Sequence, residues 1–163
     1  MDSERIPEIE PTAQLLILTA ARLTRLQGRV LRGLAVPLTY RQHRILVRVS
    51  EGHTSLAALA AFGNLTLPTV SESVDGLVRR GLLTRRERAG DRRALHLELT
   101  QQGRSACVAG QLALGAVAEG LIGELPEAEK HRLRDALGTI FDAATKHFTD
   151  EPVEDDGRLR TGT

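Results

Sequence analysis

SLAALAAFGNLTLPTVSESVDGLVRRGLLTRRERAGDRRALHLEL, residues 55–99, reads as a helix, a tight turn, a second helix and a two-stranded hairpin. Ser55 is placed to cap a short Ala/Leu helix over residues 56–62. Gly63 and Asn64 follow, and both tolerate a left-handed turn. Thr66 caps the next helix, and Pro68 falls in its first turn, where a missing N–H costs little. Val70, Val74, Leu77 and Val78 form the inward stripe of that helix, which runs to about Arg80 and is ended by Gly81. Residues 82–87 and 95–99 then read as strands. Leu95, Leu97 and Leu99 alternate with His96 and Glu98, the period of a half-buried strand. Residues 88–93 make a charged hairpin tip. A short helix, a three- to four-residue turn and an amphipathic second helix form a helix-turn-helix, whose second helix fits the major groove of DNA. The hairpin turns it into a winged helix-turn-helix.

The flanks extend this lobe with helices. Pro11 and Thr12 open a stretch to about Gly33, in which Leu16, Ala20, Leu23, Leu26, Val30 and Leu34 recur at three- and four-residue steps. Ala35-Val36-Pro37 stops it. Thr39 and Gln42 form a capping box for a helix from Tyr40 to about Val49, closed by Glu51-Gly52. Thr100 caps a fifth helix to about Ile122, ended by Gly123. Pro126 starts a sixth, with Leu133, Leu137, Ile140, Phe141, Ala144 and Phe148 on one face. The tail from Asp150 is acidic, then rich in Gly and Thr, a composition that predicts disorder. The expected fold is mostly α, a winged helix-turn-helix with long N- and C-terminal dimerisation helices, about six helices plus a two-stranded wing. Residues 12–36 and 101–148 are the expected dimerisation helices, 39–99 the DNA-binding lobe and 150–163 the disordered tail of one domain, 1–163.

Composition agrees. The 163 residues are 41% hydrophobic and 26% charged but only 2% aromatic, with no Trp, so the core is built from Leu, Val and Ala. The single cysteine, Cys107, excludes an intrachain disulfide. Residues 1–10 are acidic and form no signal peptide. The charge-free stretch 105–118 has 14 residues, short of the roughly 20 of a membrane span. A soluble cytoplasmic protein with no membrane partner is expected. The net charge of +1 is unevenly spread: residues 1–39 carry +1, 40–93 carry +5 and 94–163 carry −5. Residues 79–93 alone hold seven arginines against Glu87 and Asp91. Such clustering suits a polyanion, with binding that weakens as salt rises.

Residues 39–106 resemble the MarR family of bacterial transcription regulators. The resemblance rests on Leu65-Thr66-Leu67-Pro68-Thr69-Val70-Ser71, Val74 to Leu77, Gly81-Leu82-Leu83, Asp91-Arg92-Arg93-Ala94 and Leu99-Thr100-Gln101-Gln102-Gly103-Arg104. With the flanking helices it spans roughly residues 12–148. It implies a homodimer whose terminal helices interlock and whose two lobes meet one pseudo-palindromic, double-stranded operator. It also implies a cytoplasmic, nucleoid-associated protein of bacterial or archaeal type. The family's wing arginine maps onto Arg93, with Arg92 beside it, and enters the minor groove while Asp91 braces the tip. A narrow minor groove attracts arginine, in agreement. Where many relatives carry a basic residue after Val70-Ser71, this chain has Glu72. The groove-facing side offers Pro68, Thr69, Glu72, Ser73 and Gly76, so the arginine-to-guanine contact is absent from the first turns. The expected DNA contacts are Ser55, Thr66, Pro68, Thr69, Ser71, Glu72, Ser73, Arg79, Arg80, Arg86, Arg88, Asp91, Arg92 and Arg93, with affinity carried by the arginines, those of the second helix included, and modest base readout.

The resemblance further implies a small, often anionic aromatic effector between the dimerisation helices and the lobe, in a pocket lined from the first, second and fifth helices. His43, Arg44 and Arg48 are its expected polar groups; their alternative use is contact with phosphate or solvent. The expected function is a repressor released by that ligand. A rival is a redox sensor using Cys107, although a buried structural thiol fits that position better. Another is a winged helix that binds protein, against which the basic charge argues. No cofactor is expected. The histidines and the one cysteine lack metal-ligand spacing, and no catalytic constellation is visible, so an enzyme is not expected.

Overall fold

The computed structural model describes residues 9–63, 65–88 and 91–150, with side chains described throughout except at 87, 88, 91–95 and 147–150. Six helices and one antiparallel hairpin follow in chain order: α1 (Pro11–Arg32), α2 (Tyr40–Ser50), α3 (Leu56–Gly63), α4 (Leu67–Arg79), β1 (Leu83–Arg88), β2 (Asp91–Leu99), α5 (Gln101–Ile122) and α6 (Glu127–Asp150).

The caps set the boundaries. At α2 both halves of the capping box form: the Gln42 amide donates to Thr39 Oγ1 (3.1 Å) and the Thr39 amide donates to Gln42 Oε1 (3.0 Å). Ser55 Oγ accepts from the Ala58 amide at 3.1 Å, and Thr66 Oγ1 from that of Thr69 at 3.4 Å. Thr100 Oγ1 accepts from the Gly103 amide (2.9 Å) and donates to the Gly81 carbonyl (2.7 Å). One hydroxyl thus ties the start of α5 to the end of α4. Gly81 has φ +69, a conformation other residues rarely adopt.

The core lies inside the lobe. Leu46, Val70, Val74, Leu77, Leu82, Leu83 and Leu97 are essentially inaccessible, and Leu31 is the one buried residue of α1. The predicted stripe of α4 is this core, with Val78 half-buried at its edge. The flanking helices behave differently. Leu15, Leu16, Ile17, Leu18 and Leu23 of α1, Leu112, Leu121 and Ile122 of α5, and Leu137, Ile140 and Phe141 of α6 are all exposed in the single chain. α6 has at most marginal contact with the other elements. By length and composition α5 is also apolar enough to cross a membrane, which the charge-free stretch alone did not suggest. Its Gly103, Ala106, Cys107 and Gly110 are buried, and it packs on α2, α1 and β2.

Two boundaries depart from expectation. The strands reach Arg88 and start again at Asp91, so the tip is residues 89–90, outside the described residues, and not the six residues 88–93. Leu83 pairs with Leu99 and Glu87 with Leu95, and after a register shift Arg88 pairs with Asp91. A ribbon end that leaves the lobe needs no apolar alternation, so its strands carry charge and read as loop. Asp150 closes α6 and does not begin the tail. Residues 151–163 and the predicted disorder lie outside the described residues, as does the side chain of Phe148.

His43 is buried, 2% exposed, where α2 meets α5 and α1; a Cβ on Gly110 would overlap its ring and touch Leu31. Neither ring nitrogen makes a hydrogen bond among the described residues. Burial holds its pKa below the ordinary range, an effect the backbone of Cys107 offsets in part and the charge of Arg44 reinforces. A histidine kept neutral only in the folded state stabilises fully above its unfolded pKa of about 6.5 and loses that contribution as pH falls toward the lower folded value. The melting temperature should therefore fall between pH 7 and pH 5, with at most about 1.4 kcal/mol per pH unit from this group. His43→Leu should flatten the profile in thermal melts; an unchanged slope would remove His43 as the cause.

Candidate nucleic-acid interface

α4 presents a polar edge outward. Val70, Val74 and Leu77 anchor α4 in the core, which leaves Pro68, Glu72 and Arg79 exposed and Thr69, Ser71, Ser73 and Gly76 half-buried. Thr66 Oγ1 lies 2.9 Å from Thr69 Oγ1, and Ser73 Oγ donates to the Thr69 carbonyl at 2.9 Å. These hydroxyls keep the first turns rigid. Glu72 is the only charge on α4 before Asp75.

The wing is fixed to this helix by an ion pair that sequence reasoning missed. Arg85 of β1 donates to Asp75 of α4. Both side chains are partly exposed, so the pair sets geometry more than stability. Arg86 pairs with Glu98 across the ribbon at 2.9 Å, with most of its surface in solvent. Leu97 donates its amide to the Thr54 carbonyl (3.0 Å), and Thr54 Oγ1 and His96 Nδ1 are 2.8 Å apart, which holds the base of the wing to the segment before α3. Arg88 pairs with Asp91 at the outer end of the ribbon, and Arg92 and Arg93 follow on β2 at the register shift; the side chains of all four lie outside the described residues.

Two expected assignments change. Arg80, expected on DNA, has partners within the chain: its guanidinium donates to the Pro37 carbonyl and, at 3.2 Å, to Gln42 Oε1, bracing α4 against the start of α2. Arg79 makes no such bond among the described residues. His43, Arg44 and Arg48 do not share a pocket. Arg44 and Arg48 line a cavity of about 260 Å³ between α2 and α3, whereas His43 faces α5 on the far side of α2.

Cys107 is buried beside Val49 and Leu97, and burial pushes its thiol pKa up, an effect the Ser50 hydroxyl offsets in part and the charge of Glu51 reinforces. A reactive thiol needs the opposite shift. Arg104, the nearby cation, is bound to the Leu99 carbonyl (2.7 Å) and Gln101 (3.1 Å). Among the described residues no group of three His, Cys, Asp or Glu side chains is placed to hold a metal.

A two-helix turn, a braced two-stranded wing and long flanking helices define a winged helix-turn-helix protein. Within it, residues 36–94 match the family model described as MarR family. Similar solved structures are those of MarR-type winged-helix proteins and match along nearly the whole of their own chains. FabT of Streptococcus pneumoniae in complex with DNA superposes with a TM-score of 0.75 at 20% identity, covering 83% of this chain and 96% of that one. Apo wild-type MarR of E. coli gives 0.68 at 22%, covering 82% and 98%. CouR of Rhodococcus jostii RHA1 bound to p-coumaroyl-CoA gives 0.64 at 24%, covering 80% and 92%. No curated protein matches the chain by sequence.

Proposed function

We propose that this chain is a DNA-binding transcription regulator that acts as a homodimer on a pseudo-palindromic operator, in the cytoplasm of a bacterial or archaeal cell. It acts by binding and not by catalysis. The observation that carries the reading is the pairing of α4, with its outward polar edge, to an arginine-rich wing through Arg85 and Asp75. α4 enters the major groove with Pro68, Thr69, Glu72 and Ser73 leading, and the outer wing with Arg88, Arg92 and Arg93 reaches the adjacent minor groove. Ser55, Thr66, Ser71, Arg79 and Arg86 position the lobe on phosphates. FabT bound to DNA is the matching precedent of fold.

The homodimer follows from what one chain leaves uncovered. α6 carries Leu137, Ile140 and Phe141 into solvent, Phe141 at 71% exposure, and α1 and α5 expose apolar stripes of their own. A large apolar face marks an interface. A second copy offers the same face, and interlocking the terminal helices covers it. The charged substitutions Leu137→Asp and Phe141→Asp should convert a dimer to monomer or unfolded chain in sedimentation velocity; a wild-type chain that sediments as a stable monomer would contradict this arrangement. Binding of a small ligand to the dimer lowers its operator affinity and so relieves repression, as reciprocal coupling requires. Selection of genomic fragments on the purified protein tests the whole reading. A recurrent sequence with two half-sites about one helical turn apart is expected, and no enrichment over input would overturn it.

A further inference from the structure

Arg80 closes α4 at the place where the chain passes from α1 into α2. Its amide ends the helix by donating to the Gly76 carbonyl at 3.2 Å. Its guanidinium reaches away from α4 to two acceptors 43 and 38 residues earlier, the Pro37 carbonyl and Gln42 Oε1. Both acceptors belong to a segment that is itself held. Gln42 Oε1 also accepts from the Thr39 amide, as half of the capping box of α2. Next to Pro37, the Leu38 amide donates to the Leu31 carbonyl at 3.1 Å, and both leucines are buried. Leu31 in turn lies beside Gly110 of α5. Gln42 also meets α4 one turn before Arg80: its Nε2 is 3.9 Å from where a Cβ on Gly76 would stand. Asp75 ties α4 to the wing through Arg85. The wing therefore travels with α4, and Arg80 links that unit to the segment between α1 and α2.

We propose that Arg80 is a positioning residue: by locking α4 to the segment between α1 and α2 it sets the distance between the two α4 helices of a dimer, and so the half-site spacing that the protein accepts. This role rests on the regulator reading above, and it gives Arg80 a part in operator choice without a contact to DNA. The lever is long. α4 has 13 residues and so measures about 20 Å at about 1.5 Å per residue. A tilt of about 10° at its held end moves the leading end, at Pro68 and Thr69, by about 3.5 Å, close to the rise of one base pair, about 3.4 Å. Apolar packing between α2 and α4 has no preferred direction and tolerates such a tilt. A guanidinium held by two acceptors does not, because both bonds lengthen together. The planar fork matters as well as the charge, since a lysine ammonium cannot reproduce two bonds in that geometry. Arg79, one residue earlier, is exposed and makes no hydrogen bond or ion pair among the described residues, which makes it the natural control.

The test varies the spacing. Duplexes carry the selected operator with its half-sites at the native separation, one base pair nearer or one base pair farther, and each is titrated with full-length wild type, Arg80→Lys, Arg80→Ala and Arg79→Ala. Wild type should prefer the native spacing by about tenfold or more. In both Arg80 variants that preference should shrink to about threefold or less, with the slope of log affinity against log salt unchanged. Arg79→Ala should do the reverse, weakening all three duplexes alike and lowering the slope. The preference is a ratio of affinities within one variant, so any unfolded fraction cancels from it. Arginine on phosphate would behave otherwise at position 80: Arg80→Ala would lower the slope and keep the preference, and Arg80→Lys would rescue both. That pattern, or a wild type indifferent to spacing, would overturn the proposal. A readout without DNA separates the brace from the regulator. Spin labels on Glu72→Cys in a Cys107→Ala chain report the distance between the two α4 helices, and Arg80→Lys should broaden its distribution. An unbroadened distribution would also overturn the proposal. Spacing-selective binding that both Arg80 variants retain sinks the brace and leaves the regulator. Broadening without specific DNA binding supports the brace and sinks the regulator.

Discussion

Gly103→Ala should destabilise the protein by about 3 kcal/mol or more, because the added methyl has nowhere to go. A Cβ at this position would overlap the carbonyl oxygen of Leu82, and the next atoms it meets are also Leu82 backbone. No rotamer change relieves a clash with backbone, so the first turn of α5 must lift. That movement breaks three bonds at once: Gly103 to Thr100 Oγ1, Thr100 Oγ1 to the Gly81 carbonyl, and the Thr100 amide to the Leu82 carbonyl at 3.2 Å. The gain in helix propensity from alanine, about 1 kcal/mol, runs the other way and is smaller. At this chain length the loss corresponds to a melting temperature lower by about 6–12 °C, read by calorimetry or circular dichroism. A melt within a degree or two of wild type would show that α5 does not sit this close to the end of α4. The Leu-Thr-x-x-Gly pattern thus has a physical reason: a cap that bonds in both directions, and a helix start that touches backbone.

Arg92→Ala/Arg93→Ala should weaken operator binding by about 100-fold and leave the melt unchanged, since each arginine contact is worth about 1–3 kcal/mol. Both residues fall on β2 between the Arg88–Asp91 pair and the Glu87–Leu95 pair, in the register shift near the outer end of the ribbon. Each arginine removed from a phosphate should reduce the slope of log affinity against log salt by about 0.9, counted for both lobes of the dimer. A comparable weakening on random DNA is expected too, because α4 has no lysine or arginine between Thr66 and Val78 and leaves the wing a large share of the electrostatic affinity. A double variant with unaltered affinity and salt slope would take the wing out of the interface.

Much of this architecture is legible in the chain. Thr39, Ser55, Thr66 and Thr100 mark helix starts because a capping hydroxyl acts within three residues, and Val70, Val74 and Leu77 mark the inner face of α4 by period alone. What failed depended on distance or on mixed faces. The partner of Arg80 at Pro37 is 43 residues away, and nothing local distinguishes it from Arg79, which stays outward. The ribbon end hid behind its charge. The grouping of His43 with Arg44 and Arg48 ignored helical geometry: positions 44 and 48 share a face, whereas 43 lies about 100° around from 44. The cavity lined by Arg44 and Arg48 needs α3 packed on α2 and has no sequence signature, and the same holds for the stack of Arg48 on Phe62.

As a regulator, a pair of these lobes should distinguish one DNA sequence from others. This is tested most directly by fluorescence anisotropy with a labelled duplex carrying the selected operator, titrated at several salt concentrations against excess scrambled duplex. Two chains per duplex, resistance to competitor, an affinity for the operator at least about 1,000-fold above that for scrambled DNA, and a steep fall with salt are expected. Equal affinity for operator and scrambled duplex, or no dependence on salt, would contradict it.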